Sequence, residues 1–449
     1  MFRTAVPLFL LCGLPLQLRS QPDPDELLHR AVTKIGDTLD RLPKYMCTQT
    51  IERDQISAPL LNRNPNRVPC DTRPVPAQSQ WIRSDRLRLD VAATLTGEMY
   101  SWAGEGRFHD EELHQLIRSG YIASGGFSGF LGSVFGNEGT TFSYRGATRV
   151  EGRQLQEYGF RIPLERSQYR FGRRDNLLIV AYDGTFWLDP QTADLVRLVV
   201  RVIDPPVETG ACSSTNTLEY GHTRIHDTDF LLPKEIRFET LDMAGVEARN
   251  RTLFSGCHEF LGESTLQFGA PDPARVSPPA PATTPPLDLP SGLPFTIAFT
   301  EAIDTRVAAS GDRVGAKLTS SIVDTSGRVL LAAGTPLTVR ILQIERNTHP
   351  DANRTGWPAI SLMMLFRLET ANVGGTVRRM TAIPTERAQS FAKGKGTLTQ
   401  NRPLGTLDSI MSGPGVAMVR FLDVPNHYVI KAGTESKWTT GGTGGRTGN

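Results

Sequence analysis

Residues 182–198 read YDGTFWLDPQTADLVRL, two largely apolar runs separated by a short polar one. The runs from Thr185 to Leu188 and from Leu195 onward have the residue types that favour β-strands. The Asp189-Pro190 pair between them is a turn signal, because aspartate and proline both favour turn conformations. This stretch therefore predicts two consecutive strands joined by a turn.

Similar runs continue on both sides of this strand pair. Turn signals such as Asp183-Gly184 and Glu151-Gly152 separate several of them. We predict strands at residues 45–52, 81–91, 98–102, 141–144, 155–162, 177–181, 185–188, 195–202, 216–222, 234–239 and 248–254. The chain up to residue 268 is thus predicted to be mainly β.

One helix is predicted before the first strand. Apolar residues recur at helical spacing from Leu27 to Leu42, and Pro43 ends the pattern. Asp25 and Glu26 lie in the first turn, where negative charge is favourable for a helix. The helix is amphipathic, and its apolar face needs a partner, for which we expect the sheet.

A second helical pattern interrupts the strands. A short capped helix is predicted at residues 110–117, and apolar residues then recur at helical spacing within a glycine-rich stretch: Phe127, Phe130, Leu131, Val134 and Phe135. Glycine lowers helix stability, so this stretch must dock onto something. It is either a packed core helix, the commoner outcome, or a mobile lid over an apolar cavity.

The helix, the meander of strands and the Trp187-x-Asp189-Pro190 turn together resemble the LolA-like lipoprotein-carrier half-barrels of the bacterial periplasm. The resemblance covers about residues 23–268. It implies an α+β half-barrel, a curved antiparallel sheet with helices on its concave face, that holds lipid. Its candidate cavity residues here are Phe127, Phe130, Leu131, Val134, Phe135 and Trp187. Alternatively, these side chains fill the core.

Residues 269–292 are rich in proline and predict a semi-rigid spacer between two domains, 21–268 and 293–440. The second domain has strand-like runs at residues 295–299, 313–318, 329–331, 337–345, 360–369, 375–383 and 416–422. Its Gly311-Asp312 and Gly334-Thr335 turns resemble those of the TrbI-type conjugation β-barrel. We expect a small β-barrel or sandwich, followed by a disordered tail at residues 441–449.

The N-terminus has the pattern of a signal peptide. Arg3 precedes an apolar run from Ala5 to Leu16, and the small residue Ser20 offers a cleavage point. The run is too short to span a bilayer, and no later stretch is long enough for a transmembrane helix. Residues 1–20 therefore predict export, to the periplasm or out of the cell, with no transmembrane segment after cleavage.

Cysteine usage agrees with export. Cleavage removes Cys12 and leaves an even number of cysteines, Cys47, Cys70, Cys212 and Cys257. Three pairings are possible. We favour Cys47 with Cys70 and Cys212 with Cys257, because each pair would bracket a loop and the strand after it.

The remaining patterns argue against nucleic-acid binding, a metal site and a catalytic cysteine. A formal net charge of +2 on 449 residues gives no broad basic surface for nucleic acid. The histidines and acidic residues around His109 and His114 lack the spacing of a metal site, and Cys257 beside His258 is better explained by a disulfide. We predict no catalytic residues, no metal and no cofactor.

The sequence thus predicts an exported, non-enzymatic envelope protein whose half-barrel binds a lipid, a lipidated protein or another apolar ligand. The alternative is an envelope scaffold with a filled core that docks on an envelope protein partner. An open apolar cavity beneath residues 127–135 would favour the first, and a filled core the second.

Overall fold

The computed structural model describes residues 23–42, 44–57, 70, 80–94, 97–105, 108, 113–117, 121–122, 126–127, 129–173, 176–259, 284–349, 359–385, 388–392, 416–422 and 428–441. Three α-helices are present in these ranges, α1 (Pro24–Arg41), α2 (Leu113–Leu116) and α3 (Gly129–Phe135). Short 3-10 helices occur at Leu164–Arg166 and Val207–Thr209. All other regular elements are strands, so the predicted mainly β fold class is confirmed.

Helix α1 begins as its sequence predicts. The Asp23 side chain accepts hydrogen bonds from the backbone N–H groups of Asp25, at 2.9 Å, and Glu26, which caps the helix N-terminus. Leu27, Ala31 and Ile35, spaced four residues apart, are buried against the sheet. The Tyr158 hydroxyl donates to the Pro24 carbonyl at 2.7 Å and fixes this end of the helix on the sheet.

The N-terminal half is built on one long antiparallel sheet. The strands are β1 (Tyr45–Ser57), β2 (Gln80–Thr94), β3 (Gly97–Trp102), β4 (Thr141–Val150), β5 (Arg153–Ile162), β6 (Arg170–Arg173), β7 (Asn176–Ile179), β8 (Tyr182–Leu188), β9 (Leu195–Val202), β10 (Ala211–Ile225), β11 (Thr228–Asp242) and β12 (Val246–Glu259). Every strand predicted for this half overlaps an observed one. Neighbouring strands run in the order β3-β2-β1-β12-β11-β10-β9-β8-β5-β4, and a hairpin of β6 and β7 stands apart.

The strand pair β8–β9 lies within this sheet, joined by the predicted turn. The Asp189 carboxylate accepts from the backbone N–H groups of Gln191 and Thr192, at 2.9 and 3.1 Å. Gly184 is required on β8, because a Cβ there would lie 1.8 Å from the Val199 carbonyl oxygen. Phe186 and Leu188 face the helices and are fully buried.

The C-terminal half is also β-rich. The strands are β13 (Pro294–Phe299), β14 (Ile303–Asp304), β15 (Arg313–Leu318), β16 (Ile322–Val323), β17 (Val329–Leu331), β18 (Pro336–His349), β19 (Ala359–Val373), β20 (Thr376–Arg379), β21 (Ala382–Pro384), β22 (Ala388–Ala392), β23 (Val416–Leu422), β24 (Val429–Ile430) and β25 (Glu435–Thr440). The single strand predicted at 375–383 is thus two strands, β20 and β21. Neighbouring strands run in the order β21-β25-β13-β15-β18-β19-β23-β22, with β20 on the end of β19, around a core that includes the buried Trp438.

Strand β2 joins the two halves. Besides β1 and β3 it pairs with β18, where Asp85 lies opposite Glu345. Backbone hydrogen bonds extend the joint, from Arg88 N–H to the Ser310 carbonyl at 2.7 Å and from Ser310 N–H to the Arg86 carbonyl at 2.8 Å. Such main-chain bonds fix the orientation of one half against the other.

The disulfides correct the predicted pairing. Cys47 is bonded to Cys257, with their Cα atoms 4.1 Å apart, and Cys70 is bonded to Cys212, at 5.1 Å. Strands β1 and β12 are antiparallel neighbours, so residues far apart in the chain lie side by side. The sequence-local pairs Cys47–Cys70 and Cys212–Cys257 are therefore wrong, although all four cysteines form disulfides as predicted.

Several predicted segments lie wholly or partly outside the described residues. These are the signal peptide at 1–20, most of the spacer at 269–292 and the tail at 441–449. The described end of the spacer packs against the C-terminal core, where Leu289 is buried. In the part of the chain that is described, no helix is long and apolar enough to cross a membrane.

Candidate functional site

The concave face of the N-terminal sheet is covered by α1 and by the described parts of residues 113–135, which lie between β3 and β4 in the chain. We call residues 113–135 the cover segment; its described parts are 113–117, 121–122, 126–127 and 129–135. Helix α3 packs against α1, and α2 against β3. The cover segment and α1 together form the layer that faces the interior of the half-barrel.

The apolar residues predicted to line a cavity fill this layer instead. Phe130, Leu131, Val134 and Phe135 on α3 are buried in one cluster with α1 and the sheet. The Phe130 ring lies 5.2 Å from that of Tyr169, and the Phe135 ring 5.1 Å from that of Phe186, both edge to face. Among the described residues these side chains therefore form a packed core.

Phe127 belongs to a second cluster, with β1, β2 and β3. Its ring lies 4.7 Å from that of Tyr45 and 5.0 Å from that of Phe254. Its backbone N–H donates to the Glu98 carboxylate at 2.8 Å. Phe127 thus fastens the middle of the cover segment to the sheet.

Trp187 does not lie with the other predicted cavity residues. It stands between Phe186 and Leu188 on β8, and successive residues of a strand point to opposite faces. Phe186 and Leu188 are in the core cluster, so Trp187 is on the outer face, where the Arg197 guanidinium lies 5.9 Å from its ring. This placement corrects the prediction that Trp187 lines the interior.

A small cavity does lie beneath the described part of the cover segment, under Gly126 and Phe127. Its volume is about 20 Å³, which is room for about one water-sized group. Apolar side chains form much of its wall, and polar ones form the rest. The lining residues are Gln49, Ile51, Glu98, Tyr100, Ile122, Gly126, Phe127, Asn216, Ile236, Phe238, Asn250, Thr252 and Phe254.

Two polar side chains of this wall are incompletely hydrogen-bonded. Gln49 is 5% exposed and Asn216 is 2% exposed. Within the described structure neither Nε2 of Gln49 nor Oδ1 of Asn216 has a hydrogen-bond partner. Burying such an atom unpaired costs about 1–3 kcal/mol, so each of these side chains would gain by bonding a polar group that enters the cavity.

Three other polar side chains of the wall are paired. The Glu98 carboxylate accepts from Phe127 N–H and from the Tyr100 hydroxyl. The Asn250 side-chain amide donates to the Tyr121 carbonyl at 2.9 Å, which holds the cover segment over the sheet. The atoms of Gln49 and Asn216 differ from these in having no partner among the described residues.

Tyrosine hydroxyls near the cavity stay protonated. Burial, with smaller contributions from Glu98 and Tyr220, raises the pKa of Tyr45, whose hydroxyl is buried without a partner among the described residues. Burial raises the pKa of Tyr169 to about 12, although the hydrogen bond from Asn216 lowers it in part. The interior thus disfavours charge and offers neutral hydrogen-bonding groups.

No group of three or more His, Cys, Asp or Glu side chains within the described ranges could hold a metal ion. Asp194 contacts Lys34 at 2.7 Å and His222 at 3.3 Å. His109 lies outside the described residues, as does the side chain of His114. The predicted absence of a metal stays a prediction.

A wider cleft of about 320 Å³ lies at the joint between the halves. Several of its charged side chains pair with one another or with near neighbours: Arg86 with Glu52 at 2.6 Å and Arg306 with Asp304 at 2.8 Å. Asp85 pairs with the buried Arg53. Because these charges already have partners, the cleft is a weaker candidate for a ligand-binding site than the half-barrel cavity.

Fold and cavity together define a mainly β protein whose helix-covered half-barrel has a small cavity with apolar and polar side chains in its wall. The solved structures similar to it include an outer-membrane lipoprotein-sorting protein domain from Vibrio parahaemolyticus (11% identity, 54% of this chain and 95% of that chain, TM-score 0.27). A DUF1329 family protein from Desulfovibrio piger matches at 9% identity (54% and 95%, TM-score 0.26). Lipoprotein LppX from Mycobacterium tuberculosis matches at 8% (54% and 100%, TM-score 0.20).

These TM-scores do not establish a family. A scan against protein-family models gives no match, and a search of curated proteins gives none either. The resemblance of the C-terminal half to TrbI-type barrels is not confirmed, since the similar structures named above are of the lipoprotein-sorting, DUF1329 and LppX kinds.

The polar part of the cavity wall was not predicted from the sequence. Gln49 lies in phase with the buried Cys47 and Ile51 on β1, and Asn216 with the buried Leu218 on β10. A polar residue at an inward position of a strand is the signal that could have found them. That signal identifies single residues, whereas their membership of one cavity wall depends on the strand order.

Proposed function

We propose that the protein is an exported, non-enzymatic component of the cell envelope, periplasmic or secreted, that binds the apolar part of a lipid or lipidated protein in its N-terminal half-barrel. The signal-peptide pattern and the disulfides support an oxidising compartment outside the cytoplasm. The helix-covered apolar face supports a binding role.

The observation that carries the proposal is the composition of α3. This seven-residue helix buries Phe130, Leu131, Val134 and Phe135 yet contains Gly129 and Gly132. A helix so short and rich in glycine has little intrinsic stability, so burial of its apolar side chains holds it in place. A ligand's acyl chain can replace that burial at a similar free energy per area, about 25 cal/mol per Å².

The cover segment then acts as a lid. In the described residues its side chains occupy the concave face, and an acyl chain enters by displacing them. The cavity under Gly126 and Phe127 remains beneath the displaced helix as the place for a polar end group.

The first test is native mass spectrometry, with lipid extraction, of the full mature chain purified from the periplasm of an expression host. We expect co-purifying acyl lipid in a defined ratio to protein. A protein that is folded and carries its disulfides, yet neither co-purifies with lipid nor takes it up when lipid is offered, would contradict the proposal.

A matched pair of variants tests the lid. A Cβ at Gly129 or Gly132 would contact nothing within 4 Å, so Gly129→Ala/Gly132→Ala strengthens α3 without a clash. We expect slower lipid uptake in this variant. Gly36→Ala in α1 is the control, because its Cβ is equally unhindered and α1 stays in place. Equal slowing in both would contradict displacement of α3.

The packing favours one second candidate, an envelope scaffold. The interior is filled among the described residues, and backbone pairing of β2 with β18 joins the halves rigidly. In that case the lipid experiments fail while the fold is intact, and the C-terminal half is the surface on which to search for a protein partner.

A further inference from the structure

We infer that the cavity beneath Gly126 and Phe127 selects ligands whose polar end is an uncharged hydrogen-bonding group, a hydroxyl or an amide, over ligands that end in a carboxylate or phosphate. This inference rests on the proposed function, since it specifies the chemistry of the same site.

The first support is the set of unpaired atoms. Gln49 Nε2 is a donor and Asn216 Oδ1 is an acceptor, and both residues line the cavity. The two residues stand on β1 and β10, with β12 and β11 between them, so an end group bonds to one of them at a time. A hydroxyl or an amide can both donate and accept and can bond at either position, whereas a carboxylate or phosphate anion can only accept.

The second support is charge. Glu98 is the only charged side chain in the described lining, and Lys, Arg and His are absent from it. Its carboxylate already accepts from Phe127 and Tyr100. An anionic end group would be buried beside a like charge, and the described lining offers no cation to compensate it, which is unfavourable.

The third support is size and surroundings. The volume of about 20 Å³ holds one hydroxyl or amide but not a phosphate with its oxygens. Ile51, Phe238 and Phe254 stand in the same wall and would contact the methylene groups next to the polar end. The site is therefore shaped for the end of an apolar chain.

The experiment compares two ligands with the same twelve-carbon chain, dodecan-1-ol and laurate, at pH 8 and below the solubility limit of each. Isothermal titration of the delipidated full mature chain gives both affinities. We expect the neutral alcohol to bind at least about tenfold more tightly. Equal or tighter binding of laurate would overturn the inference and leave the proposed function standing.

A variant separates recognition of the end group from general partitioning of a neutral lipid. Gln49→Met keeps the side chain's length and removes its unpaired donor. We expect it to lower the affinity for dodecan-1-ol by roughly two- to tenfold, to leave laurate unchanged and to raise the stability of the unliganded fold. If Gln49→Met kept the full preference for the neutral ligand over laurate, the cavity would not recognise the end group through Gln49.

Gln156→Met is the matched control. Gln156 is 3% exposed and lies in the same sheet, but its side-chain oxygen accepts from the Tyr144 hydroxyl at 2.6 Å and it does not line the cavity. We expect this variant to lose stability and keep the preference. Binding of neither ligand to any of these proteins would contradict the proposed function itself, and the inference with it.

Discussion

Lys34 on α1 places its Nζ atom 2.7 Å from Oδ1 of Asp194, at the end of the turn between β8 and β9. The same ammonium group donates to the Thr192 carbonyl at 3.1 Å, and Arg30 donates to the Gln191 carbonyl at 3.1 Å. The turn that the sequence marks most clearly is therefore also the docking point for the first helix. This contact holds α1 over the concave face, next to α3.

Asp194→Asn should weaken that docking. Burial alone would raise the pKa of Asp194, but Lys34, Thr192 and His222 outweigh it and lower the pKa below its usual value. We expect a loss of about 1 kcal/mol in the free energy of unfolding at pH 7, since Lys34 is partly exposed and solvent weakens the pair. Chemical denaturation measures it.

The loss should depend on pH in a fixed direction. A carboxyl group whose pKa is lowered in the folded state adds stability above its unfolded pKa, about 4, and loses it as pH falls through the folded value. The difference between the native protein and Asp194→Asn should thus shrink below about pH 4. Glu151→Gln, at an exposed pair with Arg197, should change stability little at any pH.

Val134→Ala should loosen the cover segment locally. Val134 is fully buried on α3, and removing its methyl groups should cost about 2 kcal/mol of local stability. Because a short glycine-containing helix opens more easily than the sheet, we expect faster amide hydrogen exchange in α3 with little change in β8. Val200→Ala, on β9 and 1% exposed, is the control and should lower protection across the sheet. Similar exchange patterns in the two variants would mean that α3 does not open separately.

The disulfides predict definite cross-linked peptides. Non-reducing tryptic digestion should join residues 45–53, which contain Cys47, to residues 252–275, which contain Cys257. It should also join residues 68–83 to residues 202–224, through Cys70 and Cys212. Mass spectrometry of the digest identifies both species. A peptide joining Cys47 to Cys70 would instead contradict the pairing of β1 with β12.

The cysteines show which parts of this fold the sequence alone could predict. Local patterns were sufficient for α1, where Asp23, Pro24 and the spacing of Leu27 mark the start, and for the β8–β9 turn at Asp189. They could not predict that β1 lies beside β12, because that adjacency joins residues about two hundred positions apart. The disulfide pairing was predicted wrongly because the adjacency of β1 and β12 was not known.

In the candidate site too, local patterns could be predicted from the sequence and contacts between distant strands could not. Helical spacing correctly identified Phe130 to Phe135 as one buried face, and it could not tell a filled core from a cavity. Gln49 and Asn216 line one cavity only because β1, β12, β11 and β10 are consecutive in the sheet. The proline-rich stretch also suggested separate halves and gave no sign of the buried charges at their joint.

A substitution at Asp85 can test how much the buried charges at the joint between the two halves contribute to stability. It is 3% exposed in its side chain and binds the guanidinium of Arg53, itself 6% exposed, through Nε at 2.6 Å. Arg83 contacts both Asp85, at 3.4 Å, and Glu345 of the C-terminal half, at 2.6 Å. Asp85→Leu leaves Arg53 buried without this carboxylate, and we expect it to cost about 3–5 kcal/mol. Denaturant unfolding of the full chain measures the loss.

The double variant Arg53→Met/Asp85→Leu should recover most of that loss, because two apolar side chains can replace a buried ion pair with little net cost. Glu345→Gln keeps the β2–β18 backbone pairing and removes only the contact with Arg83, so it should cost less than Asp85→Leu. If the double variant were as unstable as Asp85→Leu, the Arg53–Asp85 pair would not be the source of the loss. The backbone joint between β2 and β18 would then be the element that Asp85 supports.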